Sequence, residues 1–310
     1  MKIQTKNLIG RLLSATFLIG TLLPAQSYAC ACGCGVFDVQ PGTTFPNGPG
    51  GTVWAEYDFM DQNKNWHSTS SASADNNPDK RIRTDFITIG GQYMFNHDWG
   101  VMGQVPYWKR NFKTDDGTGV QSFDHETFGD VRLKAVYSGF SPNMSSGITF
   151  GVKLANGDYK QANYDRDTQI GTGSTDLLLG GYHQGVLTND RSWNWFVNGE
   201  LDQPVAISHG YRPGSEVDAT VGAYYNEWSV GSVKIAPVAQ VISSYRLSDR
   251  GPAANQDNSG YTRAMIAPGI QVSTGAWRMF SDVALPVYQN VTGNQLTAPT
   301  LFKVSISRDF

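Results

Sequence analysis

The stretch Glu216-Val217-Asp218-Ala219-Thr220-Val221-Gly222-Ala223-Tyr224-Tyr225 sets Val217, Ala219, Val221, Ala223 and Tyr225 against Glu216, Asp218, Thr220 and Tyr224. Side chains alternate across a strand, so this segment reads as a strand with one apolar and one polar face. The pattern recurs. Val131, Leu133, Ala135 and Tyr137 oppose Asp130, Arg132 and Lys134. Ile148, Phe150, Val152 and Leu154 oppose Thr149, Gly151 and Lys153. Trp193, Trp195, Val197 and Leu201 oppose Asn194, Asn198, Glu200 and Asp202. A soluble sandwich alternates too, so spacing has to decide.

Twelve strands are expected, at 52–62, 81–95, 99–112, 127–139, 146–156, 172–186, 192–207, 214–227, 231–246, 260–274, 276–289 and 300–310. Many exceed the ~5–6 residues common in soluble sheets and fit the ~9–11 that a tilted strand needs to cross a bilayer. The connections sort by length. Asn96-His97-Asp98, Ser141-Pro142-Asn143, Thr188-Asn189-Asp190 and the bend at Gly275 are short; 63–80, 113–126, 157–171, 247–259 and 290–299 are long and polar, and 208–213 is intermediate. Short turns on one rim, long loops on the other and an even strand count describe an outer-membrane barrel with periplasmic turns. Both chain termini then fall on the periplasmic rim.

Composition agrees. Charged residues make up 16% of the chain and the net charge is −3, which gives no surface for nucleic acid. No run beyond residue 30 reaches ~18 consecutive apolar residues, which excludes a helical bundle. In lipid the remaining solution is a closed barrel. The expected fold is therefore all-β: a transmembrane antiparallel up-and-down barrel. Its Val, Ile, Leu and Ala face lipid, and Asp130, Arg132, Lys134, Lys153, Glu200, Asp202, Glu216, Asp218 and Lys234 face the lumen. A Lys or Arg facing mid-bilayer lipid would cost ~2–4 kcal/mol. Tyr93, Phe95 and Trp99, with Tyr224, Tyr225 and Trp228, suit an interfacial aromatic girdle.

The ends of the chain carry their own signals. Lys2, Lys6 and Arg11 precede an apolar run from Leu12 to Leu23, followed by Pro24 and Ser27-Tyr28-Ala29. That order reads as a secretory signal over 1–29, the alternative being an uncleaved anchor. At the other end Phe302, Val304, Ile306 and Phe310 share one strand face. Residues 30–51 form a Cys/Gly/Pro-rich segment ahead of the barrel at 52–310; its irregular part either plugs the lumen or hangs in the periplasm. Cys30, Cys32 and Cys34 allow three readings: a soft metal ion (copper or zinc), a lipid on Cys30, or a tail with one disulfide. No cofactor is certain beyond that candidate metal.

Several segments resemble the outer-membrane transporter-like family associated with meta-cleavage phenol degradation. They are Gln104-Val105-Pro106-Tyr107, Phe128-Gly129-Asp130-Val131-Arg132-Leu133-Lys134, Ile170-Gly171-Thr172-Gly173-Ser174-Thr175-Asp176, Tyr211-Arg212-Pro213-Gly214, Ala267-Pro268-Gly269, and Leu285-Pro286-Val287-Tyr288-Gln289 with Gly293-Asn294-Gln295-Leu296. The resemblance implies a barrel for uptake of small organic molecules. The C-terminal strand also resembles those of outer-membrane barrels, whose terminal Phe is read by the insertion machinery; Arg308 departs from the usual apolar choice. In backbone terms Gly129 fits a bulge, and Pro106 and Pro286, each costing a ladder bond, fit bulges or strand ends.

An enzyme is not expected. No Gly-x-Ser-x-Gly elbow occurs, and of His67, His97, His125, His183 and His209 only His183 sits where it could act as a base. The expected function is a channel or transporter for small solutes. The alternative is a scaffold for a partner protein, with the cysteine segment as its docking or redox element. Expected partners are outer-membrane lipids and lipopolysaccharide, the insertion machinery through Phe310, and the small-molecule solute.

Overall fold

The computed structural model describes residues 39–40, 43–46, 48–225 and 228–310; residues 1–29 and the cysteines Cys30, Cys32 and Cys34 lie outside the described residues. The strands are β1 (Gly50–Gln62), β2 (Lys64–Ser68), β3 (Ser70–Ser71), β4 (Asp79–Met94), β5 (Trp99–Asp115), β6 (Val120–Phe128), β7 (Arg132–Tyr137), β8 (Ser146–Lys153), β9 (Ser174–Val186), β10 (Trp193–Ile207), β11 (Glu216–Tyr225), β12 (Trp228–Val230), β13 (Val233–Arg246), β14 (Tyr261–Thr274), β15 (Trp277–Thr297) and β16 (Leu301–Asp309). β6 prolongs the β7 staircase and β12 prolongs β11, so the wall has twelve staircases. Each pairs antiparallel with its neighbours. β16 returns to β1 from Thr52↔Asp309 to Met60↔Leu301 and closes the barrel. Among the described residues no helix is long and apolar enough to cross a membrane.

The fold is a transmembrane barrel because its two faces are inverted relative to a soluble protein. Leu179 is 57% exposed, Val221 52% and Ile306 49%, whereas Glu200, Asp282, Lys303, Ser305 and Ser307 are buried. Outward apolar rows continue around the circumference through Ile89, Val105, Leu133, Ile266 and Val283. A contiguous apolar band of this kind requires lipid rather than water.

The aromatic girdle is largely as expected. Tyr93 meets Phe95 at 5.6 Å, Trp99 meets Tyr137 at 4.8 Å, and Tyr225 meets Trp228 at 5.6 Å. Tyr224 does not belong to it. It follows the inward parity of Thr220 and Gly222 and packs on Phe196 inside the barrel, with ring centroids 6.3 Å apart. Arg308 points outward and lies over the Trp277 ring at 5.4 Å, which gives its charge an aromatic neighbour at the rim.

The long polar connections are more ordered than their composition suggests. Most of 113–126 is strand, with β5 and β6 continuing as a hairpin above the wall. β15 runs through 290–297 and pairs there with β2. Polar strands are tolerated at this rim because water covers them on both sides. Pro286 sits at the expected irregularity, where the β14–β15 register shifts between Ala264 and Met265.

Leu179 offers a direct check of which face meets lipid. Leu179→Arg is expected to lower folding stability by ~2–4 kcal/mol in urea titrations of vesicle-reconstituted protein. No loss would place Leu179 away from hydrocarbon.

Candidate functional site in the barrel lumen

Twelve staircases enclose more space than inward side chains alone can fill, and the chain fills part of it with its own segments. At the short-turn end the described residues 39–40 and 43–46, ahead of β1, fold into the lumen. Val39 is fully buried and Phe45 nearly so. Phe45 stacks on Tyr182 at 5.1 Å and leans on Phe196 at 6.1 Å. Val39 N donates to Gln240 Oε1 at 3.0 Å, Thr43 and Ser307 share a hydroxyl bond of 2.8 Å, Ser305 Oγ donates to Gln40 Oε1 at 2.6 Å, and Gln40 Nε2 bonds Glu56. Of the two readings of this segment, the described residues follow the plug.

At the other end the β8–β9 connection, 154–173, folds inward as a roof. Asp130 staples its two legs together. Oδ1 accepts from Gly157 N at 2.9 Å, and Oδ2 accepts from Thr172 N at 2.8 Å and Thr172 Oγ1 at 2.5 Å. The legs touch backbone to backbone, since a Cβ on Gly171 would lie 2.3 Å from the carbonyl carbon of Gly157. Arg110, 1% exposed, reaches in from the wall and donates from Nη1 to Thr168 O at 2.6 Å and Gln169 O at 3.2 Å. Tyr164 Oη returns a bond to Arg110 O at 2.9 Å. The Arg166 guanidinium lies over Tyr211 at 4.2 Å, and Asp249 holds Tyr211 Oη at 2.7 Å and Gly214 N at 2.8 Å. Three of the quoted motifs thus converge on one object, the roof loop: Phe128–Lys134, Ile170–Asp176 and Tyr211–Gly214.

Between floor and roof lies a cavity of about 250 Å³. Phe45, Gln40 and Thr43 form its floor, and Ile170 and Thr172 its roof. Trp54, Phe86, Met102 and Trp108 line one side; Arg132, Lys134, Glu200 and Asp218 line the other. The second side is a lattice of ion pairs. Arg132 reaches Glu200 at 3.1 Å and Asp202 at 3.2 Å, Lys134 bonds Glu200, and Lys153 bonds Asp176 and lies 3.5 Å from Asp202. Register explains who pairs with whom. Glu200 lies opposite Asp218 and Asp202 opposite Glu216, so those acids cannot pair across β10–β11. Glu200 and Asp202 take the cations, and Glu216 and Asp218 take neutral donors: Tyr261 Oη to Glu216 and Ser244 Oγ to Asp218, each at 2.5 Å. Lys303 forms a separate cluster with Glu56 at 3.0 Å and Asp58 at 3.3 Å.

The structure therefore brings together eight of the nine charged residues read as lumen-facing. The ninth, Lys234, keeps the inward parity but sits exposed beside the turn between β12 and β13, away from the cavity. Asp130 lines the cavity, but its oxygens are engaged in holding the roof. Arg110 and Gln92 escaped the sequence reading; Arg110 lies in a stretch without clean alternation, and Gln92 is a neutral residue like many others. His183 faces outward and bonds Ser146 at 2.6 Å on the barrel exterior, next to Trp195.

A scan against family models finds no match, and no curated protein matches. Among solved structures, the chain is similar to the COG4313 outer membrane channel from Pseudomonas putida F1 (TM-score 0.65, 13% identity, 88% of this chain and 100% of that one). It is also similar to the β domain of the Bordetella autotransporter BrkA (TM-score 0.52, 13% identity, 84% of this chain and 100% of that one). At such identity the likeness is one of fold, and it defines the class as outer-membrane β-barrels.

Two outcomes follow for the roof. Asp130→Asn keeps the size of the staple but removes its charge, and charge-assisted bonds contribute ~1.5–3 kcal/mol; amide exchange over 157–172 should accelerate by about tenfold or more, and unchanged protection would contradict the staple. Burial lifts the Asp165 carboxyl from 3.8 to about 6. The seated loop prefers the protonated acid, so its seating is tightest below the ordinary value and weakens as pH rises through that window. Exchange at 164–170, corrected for intrinsic rates, should rise across it, and Asp165→Asn should flatten the profile.

Proposed function

We propose that the chain is a gated channel of the Gram-negative outer membrane for small organic solutes. The observation that carries this reading is the lumen chamber closed by segments of the chain itself, the floor at Gln40, Thr43 and Phe45 and the roof at Ile170–Thr172. A structural filler would pack the lumen solid; here a chamber remains between two pieces that are not wall strands. An apolar cavity of ~150 Å³ accepts benzene, so about 250 Å³ suits a single-ring compound with a substituent. The motif resemblance to the phenol-degradation transporter family, and the fold shared with an outer membrane channel, support the same assignment.

In this reading the short turns and both termini are periplasmic, as in other barrels of this kind. The outward belt contacts phospholipid and lipopolysaccharide, and Phe310 is the residue offered to the insertion machinery. Solute enters from outside when the roof swings on its Gly157–Gly171 base and leaves past the displaced floor.

Liposome swelling tests it. Wild-type protein should admit a small sugar such as arabinose slowly. A variant lacking residues 30–46 should admit it several-fold faster, with unchanged outer-membrane assembly. Equal rates for the two would mean that the floor does not gate the lumen.

A further inference from the structure

We infer that Gln92 selects the solute of the chamber, and that the selected class is uncharged: a small molecule with an apolar body and one hydroxyl or carbonyl group. This rests on the channel reading and specifies what its chamber accepts.

The cations of the chamber are already engaged. Each cation lining the cavity has a carboxylate partner: Arg132 and Lys134 on Glu200, Lys153 on Asp176, Lys303 on Glu56 and Asp58. An ionic solute would have to displace one of these partners and strand it without compensation in a buried setting. The cations of the chamber are thus closed to an anionic solute by their own pairing, and Asp218, a lining acid, is already held by Ser244 Oγ.

β4 and β5 offer a different surface. Their lining residues include Phe86, Gln92, Met102, Gln104 and Trp108, and no charged residue of these two strands lines the cavity. Gln92 is 6% exposed, and its side-chain oxygen is buried with no hydrogen-bond partner among the described residues. An amide left in that state is costly, and an apolar side chain such as that of Met102, directly opposite in the register, would avoid the cost. The neighbourhood is shaped for a guest that supplies the missing bond. Gln104 is the diagonal neighbour, within reach across the strand pair. Trp54 fills the place of the absent Gly90 side chain, where a Cβ would lie 2.2 Å from its ring, and so sets an apolar plate beside the amide. An amide next to indole and thioether surface recognises a neutral polar group on an apolar body.

The test is calorimetric titration of the full-length protein in detergent, against a micelle blank, with benzyl alcohol, benzoate and benzylammonium. The three share one ring and differ in charge. Benzyl alcohol should bind, with the two ions at least about tenfold weaker. Gln92→Leu should weaken benzyl alcohol by about five- to tenfold, the worth of one neutral hydrogen bond. The charge series on the wild type stands even if that variant does not fold. Benzoate or benzylammonium binding as tightly as benzyl alcohol, or an unaltered affinity in folded Gln92→Leu, would overturn the inference. Absence of binding by all three overturns it too and leaves the channel standing if deletion of the floor still accelerates swelling. Selective binding with no effect of that deletion fails the gated channel and keeps the selectivity.

Discussion

The structure depends on the hydrogen bonds that join its first and last strands. Gly51 N donates to Phe310 O and Phe310 N to Gly51 O, both at 2.9 Å, and the β1–β16 ladder continues from there to Met60 and Leu301. In hydrocarbon each backbone group without a partner costs several kcal/mol, so a sheet with free edges cannot stay there. Closure removes both edges at once and makes all twelve staircases interdependent. It also fixes the circumference, and the circumference creates the lumen that the rest of the chain must manage.

That lumen is managed by polar bonds as well as by the apolar packing around Phe45. Twelve staircases leave room for two inserted segments, and each is fastened by groups whose partners lie far away in sequence. Gln40 is held by Ser305 and Glu56, and Thr168 by Arg110. The wall beneath them is cross-tied by ion pairs among β7, β8, β9 and β10. Such buried pairs add little net stability over apolar replacements, yet losing one partner is costly. Their effect is to fix the shape of the chamber and to spend the charge of its wall internally. The lining of β4 and β5, by contrast, is neutral, and this separates the charged half of the chamber from the half that can receive a guest.

The fold was legible because its signals are local. The two-residue period in 131–137 and 216–225, the spacing of turns, and the inward parity of Arg132, Glu200 and Asp218 all follow from a strand's geometry, whatever its partners. The site was legible only in part, because its contacts join distant positions. Phe128–Lys134 and Ile170–Asp176 stand out as motifs, but only the folded chain puts Thr172 on Asp130. Composition misled in two places. Residues 113–126 and 290–299 look like loops because they are polar, whereas at a wetted rim a polar strand is as well solvated as a loop. Tyr224 looks like a girdle residue beside Tyr225, but parity turns it inward onto Phe196. Lys234 has the right parity and the wrong height, and alternation carries no information about height.

Apolar rows face lipid while the interior is sealed from it. Two tryptophans of β5 test it, since Trp99 lies outward beside Tyr137 and Trp108 lies inward against Phe86. Variants in which one of them is the single tryptophan, the other seven of the chain's eight being replaced by Phe, can be folded into vesicles of brominated phospholipid and read by fluorescence quenching. Strong quenching of Trp99 with little quenching of Trp108 is the predicted result. Equal quenching of both, or quenching of Trp108 alone, would mean that the apolar rows do not face lipid.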